Sequence, residues 1–393
     1  MKNSKNVLYV GGFELPDKNA AAQRVLTNGK LFSKLGYKVS YIGIDNERKN
    51  MNISKEIINI DGFQFNSWKQ NYPNSKKDWL QFITSLKFVK NIVTNELKEN
   101  VQIIVAYNYP AITLWKLKKF CKKNNIKLIA DVTEWYQPEG NFLFKIIKGF
   151  DSYLRMNYLQ KKVNGIIAIS EYLNSFYQTV NCIEIPPLVD KSSTKWKQLP
   201  FEEKKIRKLI YVGSPGNGQK DKLDSVIISL SKIKNNVKDF QLTIVGITKQ
   251  DYLFSFGLNS IPSNVINNIV FKGRKSHLES IELIKEADFS IFIRENNLIN
   301  TAGFPTKFVE SISCGTPVLT NSTSNIKKFL KEGELGFLID TTSNESMDKS
   351  LVLALNQDDE RIIDMKKKCY SFPMFHYEFY VDNFKYFLNN LDT

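Results

Sequence analysis

Short apolar runs alternate with helical patterns along the whole chain, and the pattern starts again near residue 208. Such an alternation predicts the strands of parallel sheets that are covered by helices. In the first half, the predicted strands are Val7–Val10, Lys38–Ile44, Val101–Tyr107, Lys127–Val132, Gly165–Ile169 and Ile183–Ile185. In the second half, they are Lys208–Gly213, Phe240–Val245, Asn268–Phe271, Phe289–Ile293, Pro317–Thr320 and Phe337–Ile339. We therefore expect an α/β fold with two Rossmann-like, doubly wound parallel sheets.

A chain of 393 residues fits two domains of ordinary size, and its two halves repeat one pattern. The stretch between the halves is polar and irregular, which indicates an interdomain link. We therefore expect a first domain over residues 1–190, a linker over 191–207, a second domain over 208–370 and a C-terminal segment over 371–393. Ligands of open parallel sheets bind beyond the carboxyl ends of the strands, so we expect the site in a cleft between the domains.

The composition excludes several classes of protein. Apolar residues make up 42% of the chain and charged residues 24%, as in ordinary soluble globular proteins. No apolar run has the length of a membrane span, and a strand follows directly on the polar start, so neither a transmembrane helix nor a signal peptide is expected. The four cysteines have no paired spacing and there are only two histidines, so we expect a cytoplasmic protein without a disulfide framework or a tight metal site.

The formal net charge of +15 has three interpretations, namely nucleic-acid binding, contact with an anionic membrane surface, or solubility. Basic residues interleave with apolar ones at 117–123 and again at 142–162, which is typical of a helix that lies on a membrane. The same pattern fits ordinary surface helices whose apolar faces lie in the core. No zinc-finger spacing, RNA-binding signature or basic tail occurs, so nucleic acid is not an expected partner.

One stretch of the second half predicts a phosphate site, because residues 303–319 have the pattern of a loop, a short helix and a buried strand. Pro305 suits a first helical position, and Gly315 suits a helix end. One apolar stripe is formed by Phe308, Val309 and Ile312. The free N–H groups at such a helix start attract anions. Glu310 lies about one turn further along, within reach of a polar group attached to the anion, such as a nucleotide ribose.

At these residues the sequence resembles the retaining family-4 glycosyltransferases, which have the two-domain fold called GT-B. The resemblance implies that Glu310 binds the donor ribose. It also places Phe304 in the donor site, with the amides of Thr306 and Lys307 at the diphosphate. The family usually carries another glutamate seven residues before this one, where it contacts the donor sugar, but Ala302 occupies that position here. The sequence Phe-Pro-Thr-Lys-Phe-Val-Glu-Ser at residues 304–311 resembles the motif of a branch of this family that is common in bacterial surface-polysaccharide synthesis.

A glycine-rich turn follows the predicted strand that ends at Gly213. Glycines let the backbone approach a phosphate closely. The resemblance places Lys220 at the start of the next helix, where a lysine stabilises the departing diphosphate, and Lys222 is a near alternative. Ser214 stands where the family usually has an arginine. An ordinary loop with solvated lysines would contain the same residues, and the chain has no Walker A motif.

Polar residues at other predicted strand ends complete the expected donor site. Arg274 could border the base pocket. Arg294 could replace the missing phosphate-binding arginine, and Glu295 or Asn300 could replace the missing sugar contact. A surface ion pair between Arg294 and Glu295 would explain these two residues equally well.

The first domain supplies the expected acceptor side. Gly11 and Gly12 follow the first strand, as does a glycine pair beneath donor and acceptor in many GT-B enzymes. Glu134 follows another strand and stands beside aromatic residues, so it is the acceptor-side or catalytic candidate. Helix capping or a pair with a lysine would also suit this glutamate. Arg24 could meet an anionic acceptor, and neither histidine lies in this domain, where many family-4 enzymes use one near the donor sugar.

The resemblance implies a hexosyl- or N-acetylhexosaminyl-type glycosyltransferase that acts with retention on a nucleotide-diphosphate sugar, with UDP expected before GDP. The expected acceptor is a saccharide or lipid-linked saccharide in capsule, exopolysaccharide or other cell-surface glycan synthesis, in the cytoplasm or peripherally at the inner membrane face. Lys220, Glu134 and Glu310 are the expected catalytic residues, and no further cofactor is required. A C-terminal helix should cross back onto the first domain.

Two alternatives remain open at this point. One is a catalytically inactive, nucleotide-sugar-binding subunit of a glycosyltransferase complex, which the residues Ala302 and Ser214 and the missing first-domain histidine favour. The other is a different enzyme on the same fold, such as a nucleotide-sugar epimerase. Epimerases of this kind usually rely on several histidines and acids in the cleft, which this chain lacks.

Overall fold

The computed structural model describes residues 5–16, 18–45, 55–98, 100–135, 142–200, 206–216 and 220–391. The chain divides into two compact units, of which the first comprises Met1–Leu188 with His376–Thr393, and the second comprises Val189–Phe375. The segment predicted as a linker therefore belongs to the second unit. Within that unit Trp196 is buried, and the Lys191 ammonium donates to the carbonyl oxygens of Tyr370 and Phe372.

The first unit is built on an eight-stranded sheet. Its strands are β1 (Lys5–Gly11), β2 (Tyr37–Asp45), β3 (Lys55–Ile60), β4 (Phe63–Asn71), β5 (Ile103–Tyr107), β6 (Lys127–Val132), β7 (Gly165–Ala168) and β8 (Cys182–Glu184). They lie in the order β3-β4-β2-β1-β5-β6-β7-β8, and every pair except β3 with β4 is parallel. The helices of the first 188 residues are α1 (Ala20–Lys34), α2 (Lys76–Thr84), α3 (Lys87–Asn91), α4 (Ala111–Lys123), α5 (Phe142–Leu154) and α6 (Glu171–Phe176).

The structure contains a hairpin of β3 and β4 that the sequence analysis did not predict. Its turn places Asp61 at a φ of 50° and Gly62 at 81°, the backbone that a tight hairpin turn requires. The Asp-Gly pair was the signal that could have revealed it. Residues along β3 alternate between exposed and half-buried, as suits the edge of a sheet, so the strand lacks the continuous apolar run of a central strand such as β1.

Two hydrophobic cores cover the two faces of the first sheet. Alternate residues of β1 point to opposite cores, because Val7 and Tyr9 belong to one cluster while Leu8 and Val10 belong to the other. Burial on both faces explains why β1 reads as an unbroken apolar run.

The cap of α1 lends itself to a stability test. The side chain of Asn19 accepts a hydrogen bond from the Ala22 N–H at 2.9 Å, which satisfies one of the free donors at the helix start. We expect Asn19→Ala to lower the free energy of unfolding by about 1 kcal/mol in urea denaturation. Asn19→Asp is the matched control, because aspartate caps equally well. Equal stability of the two variants would contradict a capping role.

The second unit is built on a six-stranded sheet. Its strands are β9 (Arg207–Val212), β10 (Phe240–Val245), β11 (Ile269–Gly273), β12 (Phe289–Phe292), β13 (Val318–Thr320) and β14 (Gly336–Leu338). They lie in the order β11-β10-β9-β12-β13-β14, and all are parallel. The helices are α7 (Leu223–Ile233), α8 (Lys249–Phe256), α9 (His277–Glu286), α10 (Leu298–Ala302), α11 (Thr306–Ser313), α12 (Ile326–Phe329), α13 (Asn344–Leu355) and α14 (Asp359–Ser371). The prediction of a second parallel sheet is confirmed.

Local sequence signals fix two helices of the second unit. The apolar face of α7 is buried at Leu223, Val226, Ile227, Leu230 and Ile233. Ser276 and Glu279 form a capping box at the start of α9. Its hydrogen bonds, from the backbone N–H and hydroxyl of Ser276 and from Lys275, lower the pKa of Glu279 to about 2.

The C-terminal helix α15 (Val381–Asn389) belongs to the first unit, as predicted. Phe384 and Phe387 lie in the same core as Tyr9, and the ring of Phe384 packs edge-on against Phe32. Only glycine fits at position 165, because a Cβ there would lie 2.6 Å from the Leu391 side chain and 2.7 Å from the Phe387 ring. None of the helices described here has the length and apolar character needed to cross a bilayer.

Candidate functional site

Three glycines shape the carboxyl edge of the second sheet, where β9, β10 and β11 end. Gly213, Gly246 and Gly273 have φ angles of +130°, +114° and +62°, a region that favours glycine. The Gly246 N–H donates to the Gly273 carbonyl oxygen at 2.8 Å. A Cβ on Gly246 would lie 2.4 Å from the Gly213 carbonyl oxygen. The three loops therefore pack backbone against backbone, which leaves main-chain groups near the surface of this edge.

Beside these loops, Asp221 holds a group of charged side chains. Its carboxylate accepts hydrogen bonds from the Tyr211 hydroxyl at 2.7 Å and from the Lys307 ammonium at 2.5 Å. The Arg294 Nε lies 3.8 Å from the other carboxylate oxygen. Asp221 is only 1% exposed, so one buried carboxylate lies between two cations.

Burial and charge act in opposite directions on these groups. Burial raises the pKa of Asp221, but Lys307, Tyr211 and Arg294 together hold that pKa below its ordinary value. Burial lowers the pKa of Lys307, which Asp221 partly offsets, while the nearby charges of Arg294 and Lys220 lower it further. The Lys307 ammonium also lies 4.4 Å from the centre of the Tyr211 ring. Lys307 is therefore held in one position by a carboxylate and an aromatic face.

Arg294 and Asn300 tie the loop after β12 to the glycine-rich loop. The Arg294 guanidinium donates to the Asn300 side-chain oxygen at 2.5 Å. The Asn300 amide donates in turn to the carbonyl oxygens of Lys220 at 3.2 Å and Glu295 at 2.9 Å. Both side chains are buried, so the interpretation of Arg294 and Glu295 as a surface ion pair is wrong. Asn300 instead uses its side-chain amide to hold the loops together.

The two lysines of the glycine-rich loop differ in their contacts. The Lys222 ammonium pairs with the Glu295 carboxylate, and both side chains are partly exposed. Lys220 is exposed, and no side-chain hydrogen bond or ion pair of its ammonium occurs among the described residues. Its backbone N–H donates to the Pro215 carbonyl oxygen at 3.0 Å, which shapes the loop. Ser214 is exposed at the same loop, and its hydroxyl accepts from the Gly216 N–H. Lys220 is thus the lysine whose ammonium can turn to a ligand.

Helix α11 begins at Thr306, one residue later than predicted, with Pro305 as its N-cap. It ends as predicted, with Gly315 at a φ of +76° just beyond the last turn. The predicted stripe of Phe308, Val309 and Ile312 is buried. The first N–H groups of any helix have no partner inside the helix, so those of Thr306 and Lys307 face outward at its start.

Glu310 lies further along α11 and contacts His277, the first residue of α9. The His277 Nε2 lies 3.2 Å from the Glu310 Oε1. The imidazole also packs edge-on against the Trp196 ring, with the ring centres 6.3 Å apart. Each of these two polar side chains is about one-fifth exposed, so the carboxylate is oriented from one side and open on another.

Three other predicted positions lie away from these charges. Phe304 is buried in a cluster of aromatic rings formed with Phe308, Phe329 and Phe375, so its ring is not open to a ligand. Ala302, at the position of the missing glutamate, is fully buried. Arg274 is exposed after β11, where its charge adds to the hydrogen bonds from Thr248 that lower the pKa of Asp251.

The first unit has a polar group of its own at the carboxyl edge of its sheet. The Asn108 amide donates to the Thr133 hydroxyl at 2.7 Å and to the Glu134 carboxylate at 3.2 Å. Asn108 has a φ of +44°, a strained backbone for a residue with a side chain. A Cβ on Gly11 would lie 2.8 Å from Tyr107, whereas the space beside Gly12 is open. Among the residues that the structure describes, Glu134 is therefore oriented by Asn108, and no lysine of that part of the chain pairs with it.

Arg24 does not face a ligand, contrary to the sequence prediction. It is buried, and its Nε donates to the Asp131 carboxylate at 2.9 Å. Tyr9 donates its hydroxyl to the same carboxylate at 2.8 Å, and Asn28 donates its amide at 3.2 Å. This group is a hydrogen-bonded polar network inside the core.

Sequence reasoning missed Asp221, His277, Tyr211 and Asn108 as members of these two groups. Asp221 stands between the two predicted lysines, and His277 is one of only two histidines, so both had some signal. Tyr211 and Asn108 had none, because their roles depend on contacts across the sheet edge. Among the residues that the structure describes, no group of three or more histidine, cysteine or acidic side chains could hold a metal ion.

One comparison with known proteins concerns the second unit alone. Residues 193–370 match a family model described as glycosyl transferases group 1. The second unit is thus similar to a group 1 glycosyltransferase domain. The match covers less than half of the chain and includes Asp221, Arg294, Lys307 and Glu310.

Two curated proteins align over more of the chain. Mannosylglucosylglycerate synthase of Petrotoga mobilis (strain DSM 10674 / SJ95) is 21% identical over 288 residues, which are 68% of this chain and 61% of the relative. Phosphatidyl-myo-inositol mannosyltransferase of Mycobacterium leprae (strain TN) is 24% identical over 205 residues, which are 50% of this chain and 51% of the relative. The aligned part of this chain spans less than two thirds of the length of either relative.

Solved structures resemble the whole chain. Sucrose-phosphate synthase from Thermosynechococcus elongatus has a TM-score of 0.71 at 13% identity, over 98% of this chain and 99% of that one. A glycosyltransferase from Rickettsia africae ESF-5 has a TM-score of 0.66 at 15% identity, over 99% of both chains. Anabaena HepE, solved in complex with UDP and glucose, has a TM-score of 0.64 at 14% identity, over 98% of this chain and 99% of that one. These likenesses confirm the predicted GT-B fold of two α/β units with parallel sheets.

Proposed function

We propose that this protein is a glycosyltransferase that moves a sugar from a nucleotide-diphosphate sugar to a saccharide or lipid-linked saccharide acceptor. The observation that carries the proposal is the cationic group at the carboxyl edge of the second sheet, where Lys307 and Arg294 flank Asp221 beside the start of α11. A helix start and cations are suited to a diphosphate. The match of this unit to a group 1 glycosyltransferase domain supports the same conclusion.

In the proposed reaction, the bond between the anomeric carbon and the diphosphate oxygen breaks as the acceptor hydroxyl bonds to that carbon from the same face of the sugar and passes its proton to the departing diphosphate oxygen. Negative charge builds up on the diphosphate. The amides of Thr306 and Lys307 and the exposed ammonium of Lys220 are assigned to stabilise that charge. Because these groups are cations and N–H donors, the proposal requires no metal ion.

Glu310 is assigned to the ribose of the donor. A carboxylate is a strong acceptor for two neighbouring hydroxyl groups, and His277 holds this one in place from the other side. Arg274, exposed after β11, is assigned to the border of the base pocket. The proposed nucleotide is UDP, which is supported by the likeness of the fold to a protein solved with UDP and glucose.

The acceptor side is assigned to the first unit. Glu134, oriented by Asn108, is the proposed carboxylate for an acceptor hydroxyl, and the open space beside Gly12 admits a ligand close to the backbone. The proposed stereochemical outcome is retention, with a hexosyl or N-acetylhexosaminyl group transferred. The proposed setting is capsule, exopolysaccharide or other cell-surface glycan synthesis, in the cytoplasm with peripheral contact at the inner membrane face.

Glu310→Ala tests the donor site. We expect UDP to raise the thermal unfolding temperature of the wild-type protein by mass action, and the variant to bind UDP about tenfold to a hundredfold more weakly, because a hydrogen bond to a charged group is lost. The measurement is thermal unfolding with UDP, GDP and a panel of their sugars. Glu334→Ala is the control, since Glu334 is an exposed glutamate beside Lys331. A folded wild-type protein that no nucleotide stabilises would remove the main support for the donor site.

A donor-binding but inactive subunit is the second candidate function, because Ala302 is buried where the resembling family has its sugar-binding glutamate. The two candidates differ in one result. Sugar transfer by the isolated protein eliminates the inactive subunit, whereas donor binding without turnover, with all acceptors tried, favours it.

A further inference from the structure

The first unit exposes large apolar side chains on three neighbouring helices. Four of these side chains are more than half exposed: Phe150 at 67%, Leu80 at 59%, Tyr153 at 55% and Ile146 at 52%. Others with substantial exposure are Ile147, Ile112, Trp115 and Tyr158. Monomeric soluble proteins seldom expose contiguous apolar surface of this kind without a binding role.

Hydrogen bonds show that these helices lie side by side, with α4 in the middle. The Lys116 ammonium of α4 donates to the Thr84 carbonyl oxygen at the end of α2 at 2.5 Å. The Ala111 N–H at the start of α4 donates to the Asp151 carboxylate of α5 at 2.8 Å. The exposed residues of α2, α4 and α5, together with Tyr158 and Lys162, are called here the α2–α4–α5 surface.

Lysines are interspersed with the apolar side chains of this surface. The sequence of α4 contains five lysines and no acidic residue. Lys118 lies close to Lys122 and Lys162, and burial together with these two positive charges lowers its pKa. The one acidic residue of α5, Asp151, is engaged at the start of α4. The surface is therefore both apolar and strongly cationic.

We propose that the α2–α4–α5 surface docks onto an anionic lipid bilayer. Lysine ammonium groups meet lipid phosphates while their stems and the apolar side chains enter the interfacial region. Trp115 and Tyr153 suit this region because each combines an apolar ring with a polar tip. A nucleic acid would satisfy the lysines but would leave Ile146 and Phe150 in water, so charge and apolar exposure together favour a bilayer.

The inference rests on the proposed function in one respect, since a lipid-linked acceptor gives membrane docking its purpose. The binding itself needs no donor and no acceptor. The donor site and the membrane surface are therefore tested independently. A protein without a UDP-dependent thermal shift can still bind vesicles, and a protein that does not bind vesicles can still show the thermal shift.

Cosedimentation with vesicles tests the proposal. We expect the wild-type protein to pellet with vesicles of phosphatidylcholine and phosphatidylglycerol, and to stay in solution with phosphatidylcholine alone. Replacing Lys119, Lys122 and Lys162 by Gln should weaken binding about a hundredfold, since each lysine near an anionic surface contributes about one factor of five. Replacing Ile146 and Phe150 by Ser should weaken binding about tenfold or more by removing exposed apolar area.

A matched set of lysines in the second unit provides the control. Lys327, Lys331 and Lys367 are exposed, and replacing them by Gln changes the net charge by the same amount. We expect this control to bind vesicles like the wild-type protein, and circular dichroism to show all variants folded. Equal loss in both lysine sets, unchanged binding in the surface variants, or no vesicle binding by the wild-type protein would overturn the proposal. The last result, with the surface still exposed, would point to a protein partner instead.

Discussion

Asp221→Asn is expected to lower the free energy of unfolding by about 3 kcal/mol, because the substitution leaves the buried cations of Lys307 and Arg294 without their carboxylate. The amide has nearly the same shape, so the loss comes from charge rather than from a cavity. Tyr211 also loses a charged acceptor for its hydroxyl. The measurement is urea unfolding at neutral pH, followed by circular dichroism and by fluorescence.

The difference in free energy of unfolding between the wild-type protein and Asp221→Asn depends on pH with a definite sign. The pKa of Asp221 is lower in the folded protein than its ordinary value, so its stabilising contribution is complete above about pH 4 and is lost as the pH falls through the folded pKa. The gap between wild-type protein and variant should therefore be full at neutral pH and shrink in acid. Asp364→Asn is the control, since Asp364 forms an exposed pair with Lys368 and should change stability by less than about 1 kcal/mol. A loss for Asp221→Asn no larger than that of the control would contradict a buried charge network.

Lys220→Ala is expected to lower kcat by about a hundredfold to a thousandfold, with a change in donor Kd of less than about tenfold. The Lys220 ammonium is exposed and has no side-chain partner in the part of the chain that the structure describes, so we expect it to meet the departing diphosphate. Charge on the diphosphate grows only as the sugar bond breaks, so the loss should fall mainly on turnover. Donor Kd is measured by calorimetry and kcat from the release of the nucleotide, with the donor that the thermal shift identifies.

Lys222→Ala is a close control for this experiment, because the two lysines are two residues apart and differ in their partners. Lys222 pairs with Glu295 on a partly exposed surface, so its loss should change kcat by no more than a few-fold. Equal losses of turnover and donor binding in Lys220→Ala would show that the lysine binds the ground state and the transition state alike. A larger effect of Lys222→Ala would assign the diphosphate to that residue instead.

The predictions from sequence were most accurate where burial alone shapes the pattern. β6 is buried from its second residue onward, and β10 alternates buried with half-buried residues before its buried end, and the predicted bounds of both strands match the structure. The edge hairpin of β3 and β4 escaped because half-exposed strands carry a weaker pattern. The helix of the 303–319 motif was found for the same reason as the strands, since its apolar stripe and its final glycine are local features.

The candidate site likewise contains residues that the sequence revealed and residues whose roles only the structure revealed. The motif itself named Glu310, Thr306 and Lys307, because spacing along one helix is visible in the sequence. The role of Arg294 was left open between a phosphate ligand and a surface ion pair, and only its burial beside Asp221 decided against the ion pair. Arg24 was a possible acceptor contact in the sequence, and its buried pairing with Asp131 was not visible there because the two positions are 107 residues apart.

The sequence by itself determined the α/β class, the two repeated sheets, the anion-suited helix start and the surplus of lysines. Each of these follows from residues close together in the chain, through periodicity, capping and composition. The tertiary structure decided which charges are partners: Asp221 with Lys307, Glu310 with His277, and Glu134 with Asn108. It also decided that α2, α4 and α5 form one exposed surface. Contacts of this kind depend on how strands and helices pack, because desolvation and charge pairing act through space rather than along the chain.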